Sequence, residues 1–228
     1  MSANFHVVIA AGGTGVRFGA GKPKQMIEWQ GKTLLQHALE AFLPFETLGS
    51  LVVVCPKNNL AAMQKDLERL SNKLLFVEGG ASRAESVKNG VMALSDKSLE
   101  DVILVHDAAR PFVPARVVED VVAAVASSGA ALPVLPIIDT IKAMDGQNVG
   151  KTIDRSSLRA AQTPQGASLK LFLEAYDQIP SLETVTDEAM LLESCAIPVI
   201  TVKGDVRNRK VTTPEDLVIL QALMKESL

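Results

Sequence analysis

The sequence has little of what marks several common classes of protein. It contains only two cysteines, Cys55 and Cys195, which lie far apart without a C-x-x-C pairing. We therefore expect reduced thiols in a cytoplasmic protein. Its 23 Lys and Arg residues are outnumbered by 26 Asp and Glu residues. This balance argues against a nucleic-acid partner, because nucleic-acid-binding proteins usually carry a clear excess of positive charge.

Membrane-spanning and targeting signals are also missing from the sequence. No apolar run approaches the roughly 20 residues needed to span a bilayer. The first residues, MSANFHVVIAAGG, lack the basic segment that precedes the apolar part of a secretory signal. The sequence shows no internal repeat, low-complexity tract or interdomain linker. We expect a soluble, cytoplasmic protein with no membrane partner, in which residues 1–228 form a single domain.

Short β-rich runs alternate with amphipathic, helix-like segments. This alternation predicts an α/β fold, a Rossmann-like, mostly parallel twisted sheet flanked by helices. The predicted strands are 5–10, 51–55, 73–78, 101–107 and 198–202. The predicted helices lie near 33–43, 57–70, 83–94, 114–127, 168–178, 187–195 and 214–226. Capping boxes at Thr33 and Ser82, and the Thr213-Pro214 pair, mark three helix starts.

Residues 137–163 interrupt this alternation and are predicted to form an inserted, protruding β-arm. Asp145-Gly146 is a hairpin-turn signal between two β-capable runs, Thr140–Met144 and Val149–Ile153. Such a hairpin either reaches out to a partner or is a solvent-exposed excursion, and the residues leave both interpretations open.

A glycine-rich loop containing cations follows the first predicted strand. In the stretch AAGGTGVRFGAGKPKQ, residues 10–25, the glycines let the backbone turn tightly with its N–H groups directed at an anion. Arg17, Lys22 and Lys24 add positive charge where phosphate oxygens would lie. The combination predicts a site for a nucleoside triphosphate, whereas the plainer interpretation is a glycine-rich turn with solvated cations.

Two unrelated nucleotide-binding motifs resemble this loop but fail at defined positions. The dinucleotide fingerprint needs a third small residue where the chain has Phe18, and a P-loop ending at Gly31-Lys32-Thr33 needs a glycine where the chain has Met26. With both excluded, the loop resembles the signature loop of sugar-phosphate nucleotidyltransferases, which wraps the triphosphate of a bound nucleotide.

A second cluster, VILVHDAARPFV, ends an apolar strand in Asp107. Ligands of open α/β sheets bind beyond the carboxyl ends of the strands, so Asp107 lies where a metal-binding carboxylate is expected. Mg²⁺ takes one or two carboxylates together with phosphate oxygens and water. The alternative is a helix or turn cap. His106 has no second His or Cys at ligand spacing and is interpreted as structural.

Taken together, the motifs resemble those of one family, the 2-C-methyl-D-erythritol 4-phosphate cytidylyltransferases of the non-mevalonate isoprenoid pathway. They cover nearly the whole chain in the order AAGGTGVRFG, KPKQ, VEGGASRAESV, HDAARPFV, DTIK, IDRSSL, QTPQ, TDEA and NRKVTTPEDL. The resemblance implies that the phosphate of methylerythritol phosphate attacks the α-phosphorus of CTP and releases pyrophosphate. It also implies that Arg17 and Lys24 stabilise the transition state, with Mg²⁺ or another divalent cation at Asp107.

The resemblance further implies two sets of binding residues. The nucleotide-binding residues would be Ala10, Ala11, Gly12, Gly13, Thr14, Gly15, Gly79, Gly80, Ser86 and Ala108. The residues around the second substrate would be Arg110, Thr140, Arg155, Thr163, Thr186 and Lys210. Arg155 and Lys210 would hold the attacking phosphate. In relatives the arm that carries Thr140 and Arg155 crosses to the other subunit, so the resemblance implies a homodimer.

The chain departs from the family pattern near its C-terminus. Arg207 stands where relatives often carry an acid, which puts a second metal carboxylate in doubt, although Asp205 lies two residues upstream. Two alternative functions stay open. One is a cytidylyltransferase for another polyol phosphate such as ribitol 5-phosphate, and the other is a non-catalytic nucleotide-binding protein on the same fold.

Overall fold

A computed structural model of the protein describes residues 3–12 and 23–225. Its strands are β1 (Phe5–Ala10), β2 (Glu28–Trp29), β3 (Lys32–Thr33), β4 (Leu48–Cys55), β5 (Leu74–Glu78), β6 (Val102–Asp107), β7 (Ala130–Pro136), β8 (Ile141–Asp145), β9 (Asn148–Ile153), β10 (Arg159–Ala161), β11 (Gln165–Ser168) and β12 (Ile200–Lys203). Its helices are α1 (Leu34–Glu40), α2 (Lys57–Leu67), α3 (Arg83–Met92), α4 (Ala115–Ser128), α5 (Leu169–Gln178), α6 (Glu188–Ser194) and α7 (Pro214–Lys225).

Eight of these strands form one central sheet in the order β10-β7-β11-β6-β1-β4-β5, with β12 added to β7. The run β6-β1-β4-β5 is parallel throughout, as is the β7–β12 pair. Strand β11 joins the two parallel parts and is antiparallel to both neighbours. The predicted α/β fold with a mostly parallel sheet is confirmed, and the antiparallel strand was not foreseen.

Alternating residues of the parallel strands face opposite layers of helices. Val7, Ile9 and Val53 pack with α1, α2 and α4 on one face of the sheet. Val8 and Val54 pack with α3, α5 and α6 on the other face. All five side chains are fully buried. Strands covered on both faces are apolar at every position, which is why runs such as LVVVC were recognisable in the sequence.

The predicted helices are all present, and local signals explain their starts. Thr33 and Gln36 form the reciprocal capping box at α1. Ser82 accepts the N–H of Glu85, but the Glu85 carboxylate caps Ala81 rather than the Ser82 backbone, so this box is only half formed. None of the helices in the described part of the chain is long and apolar enough to cross a membrane.

The interrupting segment contains a separate two-stranded sheet, β8–β9. Asp145 pairs with Asn148, which leaves a two-residue turn, and Gly146 at the turn has a φ of 56°. Glycine adopts this left-handed conformation without strain. The hairpin predicted from Asp145-Gly146 is therefore present.

Candidate active site

A cleft of about 350 Å³ opens at the carboxyl ends of the parallel strands. Its lining comes from the ends of β1 and β6 and from the loops after β4 and β5. The lining residues are Ala10, Gly12, Gln25, Pro56, Gly79, Gly80, Ala81, Ser82, Arg83, Ser86, Asp107, Ala108, Ala109 and Lys210. Ligands of open α/β sheets bind at this edge, so the cleft is the candidate active site.

The loop between β5 and α3 forms one wall and is held by its own hydrogen bonds. Gly79 donates its N–H to Cys55 O at 2.9 Å, and Gly80 donates to Ser86 Oγ at 3.1 Å. The Ser86 hydroxyl donates in turn to Ser82 O at 2.8 Å. A Cβ on Gly79 would lie 2.8 Å from Ser86 Oγ, and one on Gly80 would clash with the Cβ of Glu85. Glycine is required here for close packing against α3.

Asp107 lies at the base of the cleft and has only 10% of its side chain exposed. Lys210 Nζ is 2.7 Å from Asp107 Oδ2, while Arg83 donates to Oδ1 from Nε and Nη2 at 3.3 and 3.2 Å. Burial alone would raise the pKa of Asp107, but Arg83 and Lys210 hold it well below its usual range. The carboxylate is therefore ionised at every physiological pH.

Arg83 also pairs with a second buried carboxylate, Glu188. Its Nη1 and Nη2 lie 2.8 and 3.1 Å from the two carboxylate oxygens of Glu188, whose side chain is 4% exposed. Burial raises the pKa of Glu188 despite the opposing effect of Arg83. The sequence pattern predicts only a helix start at Arg83 and gives no role to Glu188. Their pairing joins residues 105 positions apart, so no local pattern reports it.

A buried hydrogen-bonded chain lies beneath Asp107. The carbonyl of Arg110 can only accept, so His106 Nε2 carries the proton in their 2.9 Å contact. His106 Nδ1 then accepts from the Thr163 hydroxyl at 3.1 Å, and Thr163 Oγ1 accepts from the Asp107 N–H at 3.2 Å. Burial lowers the pKa of His106 to about 4, which keeps the ring neutral. The structural interpretation of His106 is confirmed.

Arg110 lies beside this chain and is held by backbone carbonyls. Its Nη1 donates to Asn208 O at 2.8 Å and its Nη2 donates to Ala161 O at 3.4 Å. Its Nε is 3.9 Å from Asp107 Oδ2 and has no hydrogen-bond partner among the described atoms. Burial lowers the pKa of Arg110, although Asp107 partly offsets this.

These features place a strand-end carboxylate, a glycine loop and a converging lysine in one cleft. A sequence model of the 2-C-methyl-D-erythritol 4-phosphate cytidylyltransferase family matches residues 5–226. The chain belongs to this family. It is 38% identical over 224 residues to the enzyme of that name from Geobacillus thermodenitrificans, with 97% of each chain covered. It is 39% identical to the one from Saccharopolyspora erythraea, with 95% of this chain and 97% of the relative covered.

The structural similarity agrees with this family assignment. The crystal structure of the Francisella tularensis 2-C-methyl-D-erythritol 4-phosphate cytidylyltransferase matches with a TM-score of 0.83 and 31% identity, covering 96% of this chain and 99% of that one. The predicted family and the predicted activity, CTP-dependent cytidylyl transfer in isoprenoid biosynthesis, are confirmed. Neither the ribitol phosphate alternative nor the non-catalytic alternative gains support from these relatives.

For this cytidylyltransferase, the structure brings together eight of the sixteen predicted site residues that lie in the described part of the chain. Those that line the cleft are Ala10, Gly12, Gly79, Gly80, Ser86, Asp107, Ala108 and Lys210. Ala11 is buried beside them and donates its N–H to Val54 O at 2.9 Å. Gln25, which was not among the predicted site residues, lines the cleft and donates from Nε2 to Ala11 O at 2.6 Å.

Several other predicted residues in the described part of the chain lie outside this cleft. Thr163 is buried beneath it, and its hydroxyl is engaged by His106 and Asp107. Thr186 is exposed just before α6. Thr140 and Arg155 are exposed on either side of the hairpin, and neither lines the cleft of its own chain.

Part of the predicted triphosphate loop falls outside the described residues, namely Gly13, Thr14, Gly15 and Arg17. Lys24 begins a short 3-10 helix, Lys24–Met26, whose next residue, Gln25, reaches the cleft. The backbone of Lys24 is therefore next to the site.

The two carboxylates predicted for a metal do not meet. Asp205 is absent from the cleft lining, and its oxygens accept from Arg207 Nε and Nη2 at 2.9 and 2.8 Å. Across residues 3–12 and 23–225, no group of three or more His, Cys, Asp and Glu side chains is arranged to hold a metal ion.

Proposed function

We propose that the cleft is the site where the phosphate of 2-C-methyl-D-erythritol 4-phosphate attacks the α-phosphorus of CTP. The observation that carries this proposal is the contact of Lys210 Nζ with Asp107 Oδ2, 2.7 Å apart, in the cleft at the carboxyl ends of the parallel strands. The Asp107 carboxylate can bind the metal ion of a metal-bound triphosphate, and the Lys210 ammonium can bind the second, attacking phosphate. The reaction joins two anions, so it needs fixed positive charge more than a general base.

CTP is proposed to bind with its base and ribose against the glycine loop. The N–H of Gly79 and that of Gly80 are already donated within the protein. The Ala81 N–H is likewise donated to Glu85 Oε2, so recognition of the base would fall to backbone carbonyls of the loop, which can accept from the cytosine amino group. Ser86 would then act by holding the loop, because its hydroxyl proton is donated to Ser82.

The triphosphate is proposed to lie along residues 12–17, with Arg17 and Lys24 offsetting the charge of the leaving pyrophosphate. Support comes from the position of Gly12 in the cleft wall and from the 3-10 helix at Lys24–Met26 beside it. Charges fixed around the leaving group are the main contribution that a protein makes to this type of transfer.

Asp107 is proposed to hold Mg²⁺ or another divalent cation. A single carboxylate facing the cleft fits this ion, because Mg²⁺ takes its other ligands from phosphate oxygens and water. When bound, the ion would supply positive charge to the triphosphate. Asp205 does not fit as a second ligand, since it does not line the cleft.

The second substrate is proposed to lie between two copies of the chain. Arg155 has no ion-pair partner in the described part of the chain and stands exposed next to β9. The hairpin segment also exposes Ile138 by 81% and Val149 by 61%, and a second copy would cover them. We propose that the hairpin of one subunit brings Thr140 and Arg155 to the cleft of the other, facing Arg110, Thr186 and Lys210.

The two reduced cysteines, Cys55 and Cys195, support the proposed cytoplasmic location, where thiols stay reduced.

The reaction itself is tested by measuring pyrophosphate release from CTP and Mg²⁺ by the purified protein. Release should require 2-C-methyl-D-erythritol 4-phosphate and should not occur with ribitol 5-phosphate. Release driven by ribitol 5-phosphate instead would overturn the substrate, and no release with either would overturn the reaction.

A further inference from the structure

Arg83 lines the cleft, yet its guanidinium is fully engaged by the protein. A guanidinium has five N–H donors. Nε and one Nη2 donor reach Asp107, and one Nη1 donor and the second Nη2 donor reach Glu188. The remaining Nη1 donor lies 3.4 Å from Thr186 O. None of its donors is left for a substrate, so Arg83 differs from Lys210, a single-point cation with 42% of its side chain exposed.

The acceptors of Arg83 come from two walls of the site. Asp107 ends β6 on the nucleotide side. Glu188 is the first residue of α6 and follows Thr186 by two positions, on the side proposed for the polyol phosphate. Arg83 itself is the first residue of α3, directly after the glycine loop. One planar side chain therefore ties three separate elements to one another.

The pairing is also strongly anchored. The side chains of Glu188 and Asp107 are 4% and 10% exposed, so the Glu188 charge depends on Arg83 for compensation and the Asp107 charge depends on Arg83 together with Lys210. A bidentate arginine fixes direction as well as distance, which a lysine does not. The distance between Asp107 and the Thr186 segment is thus set by the shape of the guanidinium.

We propose that Arg83 and Glu188 are positioning residues that align the polyol phosphate with bound CTP. This inference rests on the proposed function. The pair holds the Thr186 segment at a fixed distance from Asp107, so that the attacking phosphate meets the α-phosphorus in line. Misplacing a reactant by about 1 Å costs up to about a hundredfold in rate. The pair should therefore affect attack by the second substrate more than binding of CTP.

Two conservative variants test the inference. Arg83→Lys keeps the positive charge but removes the planar guanidinium that bridges the two carboxylates. Glu188→Gln keeps the size of the side chain and one acceptor oxygen but removes the negative charge. In each we expect kcat to fall by about tenfold to a hundredfold and KM for 2-C-methyl-D-erythritol 4-phosphate to rise, while the Kd for CTP changes by less than about threefold. Lys32→Gln is the matched control, since it removes the exposed Lys32–Glu40 pair away from the cleft.

A double-mutant cycle tests whether the two residues act as one unit. Arg83→Gln combined with Glu188→Gln should be no worse than the more damaging single change, because the Glu188 charge that Arg83→Gln alone leaves without a partner is absent from the double variant. Circular dichroism and the melting temperature of every variant establish that it is folded. If Arg83→Lys does not fold, the kcat, KM and CTP affinity of Glu188→Gln alone test the inference.

The wild-type protein, assayed in parallel, separates the two claims. An active wild type with unchanged kcat and KM in both conservative variants would overturn the inference. A loss of CTP affinity as large as the loss of kcat would also overturn it. No activity in the wild type would overturn the proposed function and this inference with it.

Discussion

Lys210 and Asp107 form an ion pair of 2.7 Å that joins the segment before α7 to the end of β6. The lysine is 42% exposed at the side chain and the aspartate 10% exposed, so the pair lies where the cleft meets solvent. In the proposed reaction both groups have other partners, the metal-bound triphosphate for Asp107 and the attacking phosphate for Lys210. Substrate binding therefore requires Lys210 to exchange one anion for another.

Gly80 should be essential to the nucleotide wall. A methyl group there meets Glu85 Cβ, which belongs to the backbone-proximal part of α3 and cannot rotate away. We expect Gly80→Ala to weaken CTP binding by about tenfold or more, because the loop must shift by a large fraction of an ångström. Isothermal titration calorimetry with CTP measures this.

Gly31→Asn is the control for the Gly80 change. Gly31 has a φ of +80° and an added Cβ would meet nothing within 4 Å. Asparagine tolerates that conformation, so CTP affinity should be unchanged. Normal CTP affinity in Gly80→Ala would show that the loop does not form the nucleotide wall.

Thr163 should act on Asp107 rather than bind substrate directly. Its hydroxyl accepts the Asp107 N–H and donates to His106 Nδ1. Thr163→Val leaves both buried groups unpaired and should lower the free energy of unfolding by about 2 kcal/mol or more. Thr163→Ser keeps the hydroxyl and should stay close to wild type in urea denaturation. A raised KM for the polyol phosphate with no loss of stability would instead favour direct binding.

About half of the site could be read from the sequence, and the reason is topological. Asp107 and Ala10 end buried apolar strands and Gly79 follows the apolar strand β5, and parallel strands bring their carboxyl ends to one edge. Strand patterns therefore placed them together. The same patterns missed β7, whose Pro133 and Pro136 count against a strand, and β11, which has no β-branched residue.

The residues that the sequence did not reveal are positioned by contacts across distant segments. Arg83 meets Glu188 across 105 positions, and Gln25 reaches Ala11 across a loop. Thr163 was implied as a substrate ligand, but its hydroxyl is committed to His106 and Asp107. Side-chain direction depends on tertiary packing, which neither spacing nor local propensity records.

Stability should depend on pH through His106. Its pKa is about 4 in the folded protein, below its ordinary value of 6.5. As pH falls from 6.5 to 4 the unfolded chain takes up the proton first, so the free energy of unfolding falls by up to about 3 kcal/mol across this window. Urea denaturation at several pH values in metal-free buffer measures this. In His106→Gln the free energy of unfolding should fall less over the same pH range. An equal fall would contradict the assignment of this pH dependence to His106.

The hairpin should control the oligomeric state. Val149 on β9 is 61% exposed in the single chain. If a second copy covers it, Val149→Asp should shift the protein from dimer to monomer and lower activity, since Arg155 would no longer reach a partner's cleft. Sedimentation equilibrium measures the mass. Leu99→Asp, at a 50% exposed site outside the hairpin, is the control. A monomeric wild type would refute the proposal.

The central claim is that two phosphates meet at Asp107 and Lys210. Phosphorus NMR of the products formed from CTP, Mg²⁺ and 2-C-methyl-D-erythritol 4-phosphate tests it directly. Wild type should give a new diphosphate diester together with pyrophosphate. Lys210→Gln should form it about a hundredfold more slowly, whereas Lys203→Gln, on exposed β12, should match wild type. CMP instead of the diester, or full activity in Lys210→Gln, would contradict the account.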